Sequence, residues 1–398
     1  MAVADRVIIV GAGPIGLVAT YWLARLGIPV VTLEREAGVP ADMRASTFPP
    51  PSMDLMEEFG ITPKLVAAGV PAPKWQIRIH ETKESVVFDL GVLAQDTAHP
   101  YRLQCEQARL NRILVGEIEK LDNVDLRFGA EVSEVTQDGN GVAVTATRGG
   151  KTEVLTGRYV IGADGARSIV RKSFGIDFHG KAYPETLTLT VTDFRFEDHI
   201  PGLLNVNYHW REEGNYSLMK VPFAWRSGAR LREGQDLSDV LSDEAAERHF
   251  QTIWPKKGPY TIIYRGSYRA HRRIAATFNT GRAFLAGDAA HLNDPQGGMG
   301  MNSGIHDAIN LAHTIRAVLD GADPAAFDRY TRQRRTVATD EVQENAEQLS
   351  TVIKEKAWDA RIARLRQMQA IAADPARLKA FLLKTSMIAG LRRATAIT

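Results

Sequence analysis

Gly11-Ala12-Gly13-Pro14-Ile15-Gly16 follows the apolar run Val7–Val10 and opens the helical stretch Ile15–Leu26. Gly27 stops that stretch before a second β-like run, Val30–Leu33. Strand, glycine turn, helix and strand in this order make a βαβ unit, which demands a parallel sheet. Gly11 permits the tight turn, Gly13 lets the backbone approach a pyrophosphate, and Gly16 lets the helix pack on the strand. The helix start, with Pro14 and Ile15 in its first positions, turns N–H groups toward that anion. Glu34, closing the second strand, is placed to accept hydrogen bonds from a ribose. The pattern points to a bound dinucleotide and by itself does not separate FAD from NAD.

The remainder of the chain narrows the class. Its 398 residues exceed one simple core and predict interleaved domains. With 49 basic and 47 acidic residues the net charge is only +2, and no Lys/Arg stripe suits nucleic acid. The single cysteine, Cys105, excludes an internal disulfide and fits a reducing compartment. The N-terminal run carries Asp5 and structured glycines, unlike a signal peptide, and no apolar stretch is long enough to span a bilayer. These features predict a cytoplasmic protein with a small-molecule partner, no nucleic acid and no membrane, acting as a monomer or homodimer.

Two later stretches repeat the strand-to-turn design. "RYVIGADGARSIVR" runs from Tyr159 into Asp164-Gly165 and starts a helix near Ser168, and Ala283–Gly287 runs into Asp288 before a glycine-rich helix start. Between Val124 and Val160 the turn signals "QDGNG" and "RGG" predict a strand meander, and Leu187–Tyr268 is again β-rich. After Thr339 amphipathic helices follow, broken at "AADPAR".

The three motifs, in this order and spacing, resemble those of the group A flavoprotein aromatic hydroxylases, the single-component monooxygenases similar to para-hydroxybenzoate hydroxylase. The resemblance covers roughly the first 335 residues. It implies an α/β fold: a Rossmann-like FAD-binding domain (residues 1–75, 100–180 and 270–335), an interleaved β-sheet substrate domain (76–99 and 181–269) and C-terminal helices (336–398). It also implies bound FAD, with NAD(P)H docking transiently near the flavin, without a second Rossmann domain, and dioxygen forming a hydroperoxide at flavin C4a that hydroxylates an electron-rich ring. On the same resemblance Asp288 binds the ribityl chain, and Pro295 lies beside the isoalloxazine. Gly298, Gly300, Met301 and Asn302 bring a helix start to the flavin N1–O2 edge, where the anion of the reduced ring is favoured. Asp164 sits near the pyrophosphate, Arg44 follows the flavin-side loop, Gln107 leads a helix touching ribityl and phosphate, and Arg35 and Val132 border the adenosine.

Asp288, His291 and Asp294 lack the spacing of a metal site, and no metal is expected. Ser303, His306 and Asp307 lack a nucleophile elbow, and His291 reads as a structural histidine satisfied by backbone. For the substrate, Tyr208, Trp210, Tyr216 and Leu218 are expected on the wall over the flavin, with Met299 a further contact. Tyr208, His209 and Tyr216 are the candidate bases for a ring hydroxyl. Trp210 stands where a hydroxybenzoate hydroxylase carries its carboxylate-binding arginine, and Arg211 points away. An aromatic wall of this kind favours a larger phenol or a hydroxylated heteroaromatic ring such as a pyridine. Baeyer-Villiger insertion, epoxidation, oxidative ring cleavage and a flavin-bound sequestering role are the alternatives on the same site.

Overall fold

The computed structural model describes residues 5–41, 43, 45–231, 235–293, 298–343 and 357–398. Val7–Val10, buried throughout, is the central strand of a six-stranded sheet, as expected for a strand covered on both faces. It pairs in parallel with Val30–Glu34 on one side and Tyr159–Gly162 on the other. Val124–Phe128 extends the sheet beyond Val30–Glu34, and Ala283–Leu285 beyond Tyr159–Gly162, so all three glycine motifs leave neighbouring strands at the same end. Asn279–Thr280 closes the edge antiparallel.

Helix Pro14–Arg25 starts with proline at its first position, where a missing N–H costs nothing, and is buried from Ile15 to Ala24. At Gly11 φ is +100°, and a Cβ there would lie 2.5 Å from the Ala163 carbonyl oxygen of the neighbouring motif. Only glycine meets both conditions. The meander is present as Ala130–Gln137, Val142–Arg148 and Lys151–Gly157. Its first turn is closed by Asp138, whose carboxylate accepts from Asn140 and Gly141 N–H at 2.7 and 2.9 Å.

The second sheet has eight strands in the spatial order His291–Leu292, Ile262–Ala275, Phe178–Thr192, Ala224–Arg230, Tyr216–Val221, Val206–Trp210, Lys74–Ile79 and Ser85–Asp89. Two of its strands are very long and run on into the first domain. Phe178 pairs with Ala275 at one end of that ladder and Thr192 with Ile262 at the other. The boundaries expected at 180/181 and 269/270 therefore fall inside continuous strands, and the one at 75/76 falls inside Lys74–Ile79.

Helices Trp358–Ala372, Pro375–Thr385 and Ile388–Ala396 cover the far edge of this sheet. Leu365, Met368, Leu378, Leu382 and Ile388 share one apolar cluster with Trp75, Phe88, Leu90, Leu93 and Trp210. Asp374 caps the second helix by accepting from Ala376 and Arg377 N–H, which accounts for the break at "AADPAR". Buried Arg361 donates to the Arg211 carbonyl at 2.7 Å, tying the helices to the sheet.

Candidate active site

A cavity of about 670 Å³ lies between the glycine motifs and the eight-stranded sheet. From the first motif Gly13, Pro14 and Ile15 line it, and a Cβ on Gly13 would meet nothing within 4 Å. Gly16 faces inward, where a Cβ would lie 1.8 Å from the Gly11 carbonyl oxygen. Glu34 accepts from Ala12 N–H at 2.7 Å and from Glu36 N–H at 2.9 Å, so its carboxylate braces the glycine turn. Gln107 lines the cavity and is held by its N–H on the Ala45 carbonyl. Arg35 is exposed beside Glu36, and Val132 is half-buried on the meander; neither is among the cavity-lining residues. Arg44 lies outside the described residues.

Asp164 turns away from the cavity that Ala163, Gly165 and Ala166 line. Its carboxylate accepts from Ile169 and Val170 N–H at 2.6 and 3.2 Å, and with Ser168 it caps helix Ile169–Ser173. Burial raises its pKa above the usual carboxylate range. Arg171 of that helix donates to the Ala166 and Ala289 carbonyls, both at 2.8 Å, and locks the second motif to the third.

In the third motif Gly287–Ala289 forms a single 3₁₀ turn that leaves Asp288 exposed on the cavity wall. Behind it, buried Asp307 accepts from Gly287 N–H at 3.1 Å, pairs with His291 Nε2 at 2.7 Å and accepts from Arg334 Nε at 2.6 Å. Those two neighbours hold the Asp307 carboxyl far below its ordinary pKa, outweighing its desolvation. His291 is thus structural, with a carboxylate rather than backbone as its partner. Ser303 accepts from Arg334, and His306 pairs with Ser52 at 3.0 Å, so no nucleophile chain forms. Among the described residues no cluster of His, Cys, Asp and Glu could hold a metal ion.

Helix Met299–Leu319 begins after Gly298, at φ +68°, and Gly298, Gly300 and Met301 line the cavity. Asn302 donates to the Thr47 and Gly298 carbonyls at 2.8 and 2.7 Å, while its Oδ1 is buried with no protein partner. Met299 faces backward into a cluster with Val337, Met387 and Ala394, so it is not a cavity contact. Pro295 lies outside the described residues.

On the sheet wall Tyr208 and Trp210 line the cavity. Tyr208 pairs with Ser217, and Val206 with Met219, which places Ser217 and Met219 on the same face. Leu218 points to the opposite face, fully buried with Phe196, Trp225 and Phe250, and is not a substrate contact. His209 and Tyr216 border the cavity as a stacked pair with ring centres 4.5 Å apart. Burial lowers His209 to a pKa of about 3, with neither ring nitrogen hydrogen-bonded, so the ring is neutral at physiological pH. Burial raises Tyr216, whose hydroxyl pairs with His80 Nδ1 at 2.9 Å.

Comparison with known proteins fits this geometry. A family described as FAD binding domain matches residues 5–345. The para-nitrophenol 4-monooxygenase of a Pseudomonas species is 31% identical over 98% of both chains. The 6-hydroxy-3-succinoylpyridine 3-monooxygenase of Pseudomonas putida is 30% identical over 84% of this chain and 85% of that one. The crystal structure of a p-nitrophenol 4-monooxygenase from Pseudomonas putida superposes with a TM-score of 0.91 over 98% of this chain and 99% of that chain, at 30% identity. The chain belongs to the group A FAD-dependent aromatic monooxygenases. It is an oxidoreductase that binds FAD and uses NAD(P)H and dioxygen as co-substrates.

The residues of this monooxygenase fit the cofactor at two points. Gly13 leaves side-chain-free space at a helix start, and Asn302 Oδ1 is a buried acceptor awaiting a donor beside the second helix start. The sequence reading missed Ser46, Thr47, Arg226, Gly228 and Arg230, which also line the cavity. Arg226 donates to the Ser46 hydroxyl and bridges the sheet to the segment just before the short strand Thr47–Phe48. The alternation of strand Ala224–Arg230 was the signal available for Arg226, Gly228 and Arg230; its place over the cavity follows only from strand pairing.

Proposed function

We propose that this monooxygenase hydroxylates a phenol or hydroxypyridine, inserting one oxygen atom from dioxygen while NAD(P)H is oxidised and the second oxygen leaves as water. The observation that carries the reading is the single cavity shared by the dinucleotide motifs and the wall of Tyr208, Trp210, Ser217 and Met219. Bound FAD supplies the redox chemistry that activates dioxygen. Asp288 is suited to hold the ribityl hydroxyls, the Pro14 helix start the pyrophosphate, and the Gly298–Asn302 helix start the negative edge of the reduced ring. Tyr208 and Trp210 exclude water and face the substrate ring. His209, neutral at physiological pH, and Tyr216, protonated there, serve as wall rather than as general base.

No helix among the described residues is long and apolar enough to cross a membrane. We place the enzyme in the cytoplasm as a monomer or homodimer, which localisation and light scattering check. The purified, FAD-loaded enzyme is expected to oxidise NAD(P)H faster when a phenol or hydroxypyridine is added, and to yield a product one oxygen heavier with its ring intact. Ring-opened products, or no stimulation across a panel of both classes, would overturn the reading.

A further inference from the structure

Helix Met299–Leu319 starts at the cavity without a capping side chain, since Gly298 precedes it in the left-handed region and has no polar side-chain atom to offer its free N–H groups. Its first turn is held from two sides. On one, Asn302 donates to the Thr47 and Gly298 carbonyls. On the other, Met299, 5% exposed, sits in an apolar cluster with Val337, Met387 and Ala394. Met387 and Ala394 come from the chain beyond residue 345, where the FAD-binding-domain match ends. Helix Ile388–Ala396, which carries Ala394, is fastened in place: Gln333 donates to the Ile397 carbonyl at 2.8 Å, and Arg393 pairs with Asp340 at 2.7 Å.

Met387 forms the turn into that helix with φ +66°. A helix end in the left-handed region ordinarily takes glycine, because a Cβ is strained there. Among the described residues three non-glycines have positive φ: Lys83 and Phe223 are exposed, and Met387 alone is buried, at 7%. Its side chain is kept against backbone preference and fills the space behind Met299, a use that suits the pliable thioether. Resting on the placement of this helix start at the negative edge of the reduced ring, we infer that Met387 is a positioning residue for the flavin. Through the cluster it shares with Met299 it sets how closely the first-turn N–H groups approach that edge, and with it the reduction potential of the bound cofactor. Helices that cover the outer sheet thus also tune the redox step.

The test reduces the FAD-loaded enzyme stepwise against a reference dye, without substrate, and reads the midpoint potential from flavin absorbance. Met387→Gly relieves the turn while emptying the cluster, so it should stay folded and yellow. Its potential should lie about 30 mV more negative, which is a tenfold loss of stabilisation for a two-electron-reduced form. Met387→Leu should restore most of the wild-type value. Met299→Ala should shift the potential the same way, and adding Met387→Gly to it should shift it little further. Leu378→Ala, which loosens the preceding helix in the separate apolar cluster around Trp75, should leave it unchanged. If glycine costs the fold, Met387→Ala is read by the same criteria. A wild-type potential in the folded Met387 variant, or an equal shift in Leu378→Ala, overturns the proposal. Asn302→Ala frees the same helix start from its other side: a shift or a loss of FAD there, with none in the Met387 variant, overturns the proposal alone. Unchanged potential and FAD affinity in the Asn302, Met299 and Met387 variants alike overturn the placement of the helix start on which it rests.

Discussion

Replacement of His209 by leucine tests whether the wall of the cavity holds a neutral histidine. The ring is 3% exposed, stacked on Tyr216, and its pKa is lowered from 6.5 to about 3 by burial. Because the folded value lies below the unfolded one, the unfolded chain takes up the proton first as pH falls. The stability at stake is present above pH 6.5 and is lost as pH drops from 6.5 toward 3. One proton accounts for about 1.4 kcal/mol per pH unit in that window, or about 2 kcal/mol between pH 6.5 and 4.5. His306, also held at about 3, contributes a second, parallel loss. Urea unfolding of wild-type and His209→Leu enzyme, both FAD-loaded, at half-unit steps from pH 7.5 to 4.5 isolates the first proton, because His306 and cofactor effects are common to both. The variant's disadvantage at neutral pH, from the lost stack, should shrink by about 2 kcal/mol on acidification. Parallel curves would refute a buried neutral His209.

Asp307→Asn should destabilise the folded enzyme by about 3–5 kcal/mol in urea unfolding, since it strips buried Arg334 and His291 of their shared anion and loosens the turn carrying Asp288. Gly13→Ala should leave the apo melting temperature nearly unchanged yet weaken FAD binding about tenfold or more by fluorescence titration, because the added Cβ meets no protein atom within 4 Å and intrudes on the space for the pyrophosphate. Gly16→Ala should instead fail to yield folded protein in a solubility and circular dichroism assay, because its methyl group collides with the Gly11 carbonyl oxygen. Cys105, fully buried with its thiol pushed up to about 12, should resist a thiol reagent at pH 8 in the native enzyme and react at once in denaturant.

The FAD-binding half was legible in the sequence because its signals are local. Glycine spacing, an apolar strand on each side and an acid at the next strand end are all set within one βαβ unit. The sheet wall was less legible because its meaning depends on pairing between distant strands. Tyr208 and Trp210 alternate correctly along their own strand, yet whether Ser217 or Leu218 stands beside them rests on a one-residue choice of register that inverts every side chain. Met299 and Met301, two positions apart on a helix, point to opposite sides, and only one meets the cavity. Arg226 and Arg230 lie beyond the turn at Phe223, in a strand whose sequence alone carries no sign of what it covers. The expected boundaries at 75/76, 180/181 and 269/270 fall inside the strands Lys74–Ile79, Phe178–Thr192 and Ile262–Ala275, whose extent depends on pairing between distant segments.

The FAD-binding-domain match ends at residue 345, but the apolar cluster that backs Trp210 is completed by Leu365, Met368, Leu378, Leu382 and Ile388. A shortened version cut at the end of that domain match would therefore expose Trp75, Phe88 and the outer strand Ser85–Asp89 together, an open edge with a greasy face that invites strand-to-strand association. For anyone shortening or grafting this enzyme, the helices beyond the FAD-binding-domain match are the ones that cover its outer sheet edge.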